Sequence, residues 1–182
     1  MDRGQSAGVS VSGGKAAGAS LQGTSRADDA LADGGGRRIA DFAAFVAEVS
    51  AQGRVSQMRT FVQHGSVSTY AHVVRVAHTS WRWARALKLR VSEPELVRAA
   101  LLHDYYLYDW HHTDNKGHAV NHPVIAARNA AEDFDLTPKE RNIIEAHMWP
   151  LPPTRVPASR EAWLVCAADK WCSLGETLFK RH

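Results

Sequence analysis

Apolar residues recur at intervals of three and four positions in most segments after residue 38, which is the spacing of a helix with one buried face. The longest such segment runs from Ser66 or Ser68 to Leu87. Its apolar stripe consists of Val67, Tyr70, Ala71, Val74, Ala77, Trp81 and Ala84. Glycine and proline residues separate the segments, and none of them shows the convincing alternation of apolar and polar residues typical of a half-buried strand. The sequence therefore predicts an all-α fold, a compact bundle of about seven helices.

Cap residues predict where individual helices begin. Thr137 precedes Glu140 by three residues, the spacing of a capping box in which each side chain bonds to the backbone of the other residue. Residues 109–121 are mostly polar and predict a loop. Asn121 ends this loop and stands two residues before Pro123, a residue type favoured in the first turn of a helix. We therefore expect the next helix to be capped by Asn121.

The first 37 residues differ in composition from the rest of the chain. Gly, Ser and Ala dominate them, and Leu21 and Leu31 are the only large apolar residues after Met1. Such a segment buries too little apolar surface to offset its conformational entropy, so residues 1–37 are predicted to be a disordered tail and residues 38–182 a helical domain. No apolar run has the length of a signal peptide or a membrane span, and a cytoplasmic location is expected.

Charge and cysteine content exclude some function classes. The net charge is +3, and basic residues are interspersed with acidic ones, so no nucleic-acid partner is indicated. Cys166 and Cys172 lie six positions apart in an apolar helical segment, which places them on nearly opposite sides of a helix. Reduced thiols in the core are therefore expected rather than a disulfide.

Histidine is the residue type with the most unusual distribution. The chain contains ten histidines, and all except His182 lie between His64 and His147. Histidine is the commonest transition-metal ligand in proteins, and its side chain exchanges protons near neutral pH. This central region is therefore where a functional site is expected.

Histidines and aspartates fall at core-facing positions in separate predicted helices. Asp104 lies three residues after Leu101 and seven after Val97, on the apolar face of its helix. The others are His72, His103, His147 and Asp169. Taken singly, Asp104 could accept a backbone or arginine hydrogen bond, and Asp169 could pair with Lys170. Together they indicate a metal site, because bound cations are the strongest compensation for buried carboxylates.

The order His72, His103-Asp104, Asp169 resembles the H…HD…D pattern of the HD-domain phosphohydrolases. The doublet lies in the segment ALLHDYYLYDW, and the last aspartate lies in LVCAADKWCSLGE. The resemblance extends over roughly residues 60–178. It implies a compact HD-type helical domain in which these four residues hold one divalent metal ion.

Two further histidines, His122 and His147, resemble the additional ligands of HD subgroups that hold two metal ions. The resemblance then implies a second ion held by His122, His147 and a bridging Asp104. A shell of nitrogen and oxygen donors suits Mn, Fe, Co, Ni or Zn better than Ca. The expected cofactors are therefore one or two divalent transition-metal ions, about 3.5–4 Å apart where two are bound.

The activity that the resemblance implies is hydrolysis of a phosphate ester by metal-activated water. The substrate would be a nucleotide or another small phosphorylated metabolite. Asp104 would also orient the water, and Lys170 is the second expected catalytic residue, as a contact for the phosphate. Arg75 is a further candidate for that contact. A solvated or structural role is an equal alternative for Lys170 and the favoured one for Arg75.

The remaining histidines have weaker assignments. His118, four residues before His122, is a reserve ligand or a substrate contact. Solvated or structural roles are expected for His64, His78, His111 and His112. The candidates for the acid that protonates the leaving group are His111, His112 and Lys116.

Two other function classes fit the same residues. HD-like folds with six such ligands also include di-iron oxygenases, and a metal site can serve a non-catalytic binding module. A complete ligand set argues against a decayed enzyme. The chain lacks the glycine and tyrosine-proline signature of the cyclic-dinucleotide subgroup and the synthetase domain of the alarmone enzymes, so neither specific activity is expected.

Overall fold

The structure, a computed structural model, describes residues 36–111 and 117–179. Residues 1–35 of the tail predicted for residues 1–37 therefore lie outside the described residues. The backbone carbonyl of Arg37 accepts a hydrogen bond of 2.8 Å from the N–H of Glu93, so Arg37 already contacts the helical domain.

The all-α prediction is confirmed for the described part of the chain, which contains six α-helices and one short 3-10 helix. The α-helices are α1 (Phe42–Ser50), α2 (Thr69–Ala86), α3 (Glu93–Leu102), α4 (His118–Asp133), α5 (Pro138–Ala146) and α6 (Arg160–Phe179). The 3-10 helix spans Val55–Arg59. A small antiparallel hairpin of β1 (Val62–His64) and β2 (Val67–Ser68) precedes α2. Its strands are too short to produce a recognisable alternation in the sequence.

Cap interactions fix the start of two helices where the sequence predicted them. The hydroxyl of Ser68 accepts a hydrogen bond from the N–H of Ala71, so α2 begins directly after Ser68. The capping box is present at α5, where the Thr137 hydroxyl accepts from the Glu140 N–H at 3.2 Å and the Glu140 carboxylate accepts from the Thr137 N–H at 2.9 Å. These local signals were sufficient because cap bonds form within four residues.

The predicted start of α4 at Asn121 is wrong. The helix begins at His118 with Gly117 as its N-cap, so Pro123 lies in the second turn instead of the first. The imidazole of His118 stacks on that of His122 with ring centroids 4.6 Å apart. The Nδ1–H of His122 also donates to the backbone carbonyl of His118 at 2.8 Å. These side-chain contacts stabilise one additional helical turn that cap and proline preferences do not indicate.

Helix α3 is the centre of the domain and contacts each of the other five α-helices. Six of its residues are fully buried, namely Leu96, Val97, Ala99, Ala100, Leu101 and Leu102. A helix with so many buried apolar residues is stable only when other elements surround it. As a result, the residues that follow α3, His103 and Asp104, emerge inside the protein and not at its surface.

Both cysteines are buried and free, as the sequence predicted. Among the described residues, no helix combines the length and the apolar character needed to cross a membrane.

The carboxylate of Glu93 joins the start of α3 to α2 and to the segment before α1. It accepts two hydrogen bonds from Arg85, at 3.0 and 2.9 Å, and one each from the Trp81 indole and the Ile39 N–H. Because Glu93 is 3 % exposed, removing it leaves the buried N–H of Ile39 and the partly buried Trp81 and Arg85 donors without this acceptor. We expect Glu93→Ala to lower the free energy of unfolding by about 3–5 kcal/mol in urea titrations.

The control for this prediction is Glu145→Ala, which removes a single partly exposed ion pair of 3.4 Å with Arg141. Its expected cost is about 0.5 kcal/mol or less. Equal losses in the two variants would show that Glu93 does not link the helices in the way described.

Candidate metal centre

Six buried histidine and aspartate side chains meet where α2, α3, α4, α5 and α6 come together. They are His72 of α2, His103 and Asp104 after α3, His122 of α4, His147 after α5, and Asp169 of α6. None of them is more than 6 % exposed. The tertiary structure thus brings together all six residues that the sequence proposed as ligands.

The first group consists of His72 and His103, which face one oxygen of Asp104 and one oxygen of Asp169. The Nε2 atom of His72 lies 3.1 Å from Asp169 Oδ1 and 3.7 Å from Asp104 Oδ2. The Nε2 atom of His103 lies 3.4 Å from Asp104 Oδ2 and 3.7 Å from Asp169 Oδ1. Two imidazoles and two carboxylates therefore face a common point.

The second group consists of His122 and His147, which face the other oxygen of Asp104. The Nε2 atoms of His122 and His147 lie 3.3 and 3.6 Å from Asp104 Oδ1, and 2.9 Å from each other. The carboxylate of Asp104 consequently stands between the two groups, with Oδ2 directed to His72 and His103 and Oδ1 directed to His122 and His147. This is the arrangement that a bridging carboxylate requires.

Three of the histidines are held in the tautomer that binds metals. Their Nδ1–H groups donate to backbone carbonyls three or four residues earlier, so a neutral ring carries its lone pair on Nε2. The pairs are His103 with Ala100 at 2.7 Å, His122 with His118 at 2.8 Å, and His147 with Ile144 at 2.8 Å. In each case it is Nε2 that points to the aspartates.

The fourth histidine, His72, is held by a carboxylate instead. Its Nδ1–H donates to Glu176 Oε2 at 3.0 Å, and the other oxygen of Glu176 accepts from the guanidinium of Arg75. The sequence interpretation missed Glu176, although it lies seven residues after Asp169 and hence on the same face of α6. Arg75, which the sequence offered as a phosphate contact, is engaged in this ion pair.

Hydrogen bonding among the described residues leaves two atoms at the centre unsatisfied. His103 Nε2 and Asp104 Oδ1 are buried and have no hydrogen-bond partner of acceptable geometry in the part of the chain described. Ligand atoms about 2.0–2.2 Å from one ion at angles near 90–110° are about 3–3.6 Å apart, close to the separations found here. The donor set and its spacing therefore fit divalent ions of the transition series.

The charges at the centre are those of a site suited to cations. Burial raises the pKa of Asp104, but the neighbouring His103 and His122 outweigh this and hold the pKa well below its usual value. Burial together with the charges of His103 and His122 lowers the pKa of His147 to about 3. For His72, burial lowers the pKa, yet Asp169 and Glu176 raise it to about 9. The neighbouring histidines thus hold both aspartates in the ionised form, and these two negative charges favour a cation between them.

A second residue that the sequence did not indicate is Gln63 of β1. Its amide donates to Asp104 Oδ2 at 2.6 Å, and its carbonyl oxygen accepts from the hydroxyl of Tyr106 at 2.5 Å. These bonds fix the orientation of the Asp104 carboxylate. No pattern in the sequence signals Gln63, because the hairpin that carries it is only a few residues long.

A cavity of about 830 Å³ opens onto the centre. Asp104, His122, His147 and Asp169 lie in its wall, so the cavity gives access to both groups. Most of the remaining wall is apolar or aromatic, formed by Trp110, Ala119, Met148, Pro150 and Leu151.

Lys170 also lines this cavity and is exposed. Its ammonium group donates to the backbone carbonyl of His147 at 3.0 Å and to the carbonyl and Sγ of Cys166 at 3.3 and 3.2 Å. The charge of Lys170 therefore sits at the end of α5, beside the ligand candidate His147.

The other histidines lie around the centre or away from it. His118 lines the cavity between His122 and Trp110, and burial lowers its pKa to about 4, so its ring is neutral. His111 is exposed and stacks on Trp110, while His78 packs against Phe42. His64 belongs to β1. His112 and Lys116 lie outside the described residues.

The sequence was also compared with models of protein families. The HD domain family matches residues 69–173, which is more than half of the chain. The chain belongs to the HD domain family. All six residues of the centre fall inside the matched segment, whereas Gln63 and Glu176 fall outside it. Comparison with curated proteins and with solved structures found no significant match.

This HD domain should lose its metal when the shared carboxylate is removed. We expect purified wild-type protein to retain one or two divalent ions in elemental analysis, and His103→Ala and Asp104→Ala to retain none. Bound ions should also raise the melting temperature, by an amount corresponding to about 2.7 kcal/mol at one hundred times the dissociation constant. The exposed Asp135→Ala serves as control, and wild-type metal content in Asp104→Ala would refute the ligand assignment.

Glu176 should tune the affinity of the first group for its ion. A carboxylate that accepts a hydrogen bond from a metal-ligating histidine makes the ring a better electron-pair donor, and its loss typically costs about 10- to 100-fold in metal affinity. We expect Glu176→Gln to weaken binding of one ion by about 10–100-fold in chelator competition. Glu161→Gln is the matched control, since Glu161 is also buried on α6 but contacts Ser92 and Lys139. Equal affinities in both variants would contradict the role of Glu176.

Proposed function

We propose that this HD domain is a metal-dependent phosphohydrolase that hydrolyses a small phosphate ester. The observation that carries the proposal is the position of Asp104, whose two carboxylate oxygens face two separate groups of imidazoles at the inner end of a cavity. Membership of a family composed largely of metal-dependent phosphohydrolases supports the same reaction class.

The residues fit the binding of two divalent ions. His72, His103, Asp104 and Asp169 would hold one, and His122, His147 and Asp104 the other. When bound, such ions lower the pKa of a coordinated water and neutralise the charge of the phosphoryl oxygens. The protein itself supplies a fixed and dehydrated arrangement of donors, so little reorganisation accompanies the reaction.

Asp104 has a positioning role in addition to its role as a ligand. Its orientation is fixed by the amide of Gln63, and its low pKa keeps it ionised, so it accepts a hydrogen bond and directs the attacking water. The new bond forms between the water oxygen and phosphorus, and the bond from phosphorus to the ester oxygen breaks. The ester oxygen leaves as an alcohol after taking up a proton, for which the described candidate is His111, whose ring centroid lies 3.8 Å from that of the cavity-lining Trp110.

Among the described residues that line the cavity, Lys170 carries the fixed positive charge. We propose that it attracts the phosphate group toward the centre while its hydrogen bonds to His147 and Cys166 hold it in place. The volume of about 830 Å³ and the apolar wall suit a phosphorylated molecule of nucleotide size, since ligand pockets are usually about 300–1,000 Å³.

The experiment that tests the function is a phosphatase screen on metal-reconstituted protein, with nucleotides and sugar phosphates as substrates and phosphate release as the readout. We expect activity that depends on added Mn, Fe, Co, Ni or Zn and that is abolished in Asp104→Asn. Lys170→Met should retain its metal but lose about 100-fold in kcat/KM, because one charge that contacts the phosphate is removed. Lys139→Met, which changes a lysine paired with Glu95 and Glu161, should be unaffected.

Phosphate release without dependence on metal would contradict the proposal. The same donor set fits a di-iron oxygenase, so iron-loaded protein is also assayed for oxygen consumption with organic substrates. Oxygen consumption in the absence of phosphatase activity would replace the hydrolase proposal with an oxygenase. A metal-loaded protein inactive in both assays would favour a binding module.

A further inference from the structure

Helix α6 carries a large exposed apolar face that the metal centre does not use. Trp163 is 45 % exposed, Trp171 is 65 % exposed, and Leu174 and Leu178 are 54 % and 60 % exposed. Asp169, by contrast, is directed to the opposite side of the helix and into the interior. Large exposed apolar patches on a protein surface commonly mark an interaction site.

The residues on this face alternate in size along one ridge of the helix. Positions that differ by four form a continuous ridge, and here the ridge reads Trp163, Ala167, Trp171 and Gly175. Two large residues therefore alternate with two small ones.

Gly175 has no explanation within a single copy of the described chain. A Cβ atom at this position would meet no atom of the described residues within 4 Å. Glycine in a helix interior lowers stability by about 1 kcal/mol relative to alanine. The backbone of Gly175 is helical, a conformation that any residue can adopt, so the backbone does not require glycine here. A residue without a side chain is useful where another molecule approaches the helix closely.

We propose that this face binds the same face of a second copy of the chain, with the two α6 helices antiparallel. The two-fold axis then passes between Ala167 and Trp171. In this register Trp171 of one copy lies over Ala167 of the other, and Trp163 of one copy lies over Gly175 of the other. Every large residue of the ridge meets a small one, as close packing between helices requires.

The flanking residues agree with the same register. Leu178 of one copy lies opposite the aliphatic part of the exposed Arg160 of the other. The indole of Trp83 on α2 contacts Trp171 edge to face, with ring centroids 6.5 Å apart, and extends the apolar surface beyond α6.

The exposed area suits a dimer. Taking about 250 Å² for a whole tryptophan side chain, the two indoles of α6 alone expose roughly 270 Å². With the two leucines they supply the apolar core of an interface of about 800 Å² per partner, the usual size for a stable complex. Residues 1–35 are poor candidates to cover this face, because Leu21 and Leu31 are their only large apolar residues after Met1.

The first experiment measures the mass of the full chain in solution by sedimentation equilibrium. We expect wild-type protein to have twice the 20.0 kDa mass of the chain. Trp171→Glu should raise the dissociation constant of the dimer at least about 100-fold, because the symmetry places two charges in the interface. Val124→Glu, at a position on α4 that is 40 % exposed, is the matched control and should remain a dimer.

A second variant separates loss of the interface from loss of folding. Gly175→Leu adds a side chain into space that is open in one copy but lies under Trp163 of the other copy in the dimer. We expect this variant to be a monomer with an unchanged far-ultraviolet circular dichroism spectrum, since leucine favours a helix more than glycine does.

The third experiment tests the antiparallel register. Ala167→Trp and Trp171→Ala should each weaken the dimer, the first by collision and the second by loss of contact. The double variant Ala167→Trp/Trp171→Ala exchanges the large and small positions and should recover dimer formation. A parallel dimer or an unrelated partner would not show this recovery.

Several results would overturn the proposal. A wild-type dimer that Trp171→Glu does not affect would place the interface elsewhere. Failure of the double variant to recover would exclude the antiparallel register. A monomeric wild type, whether its α6 indoles are accessible to an added quencher or covered by another segment of the chain, would exclude a second copy as the occupant.

Discussion

The carboxylate of Asp104 is the group on which the rest of the centre depends. It is almost fully buried, it remains ionised, and its two oxygens face four imidazoles from four different parts of the chain. A buried charge is tolerated only where it is paired, and no arginine or lysine contacts this one among the described residues. Histidines bearing protons or metal ions are what remains to compensate it. The helices must therefore pack so that these rings converge on Asp104. The packing of the helices and the geometry of the site thus depend on the same contacts.

Helix ends make this convergence possible. His103 and His147 each occupy the C-cap position of their helix, where the backbone turns and the side chain can point away from the helix axis into the interior. Their Nδ1 atoms bond to carbonyls of the preceding turn, which fixes the rings without help from distant residues. His72 lies within α2 and is instead fixed across the domain, by Glu176 of α6. The proposed dimer uses the side of α6 opposite Asp169, so assembly would stabilise the helix that carries this ligand candidate.

Some predictions from local interactions agreed with the structure, whereas several contacts between distant segments were missed. The capping box of Thr137 and Glu140 was correct because both residues lie within one turn. The start of α4 was wrong because contacts of His118 with its neighbours add a turn before Asn121. Arg75 was offered as a phosphate contact, but its partner Glu176 lies 101 residues later in the chain. Gln63 was missed because its contact with Asp104 arises only when β1 packs against α2 and α6 and thereby approaches the segment after α3.

The sequence alone determined the class of fold and the residue types of the centre. Helical periodicity is a property of short segments, and an aspartate on an apolar face must be buried wherever that face packs. Only the tertiary structure decided which oxygen of Asp104 faces which histidines, which residues orient them, and which face of α6 stays exposed. These features depend on distances of a few ångströms between segments far apart in sequence, and side-chain spacing along the chain carries no information about such distances.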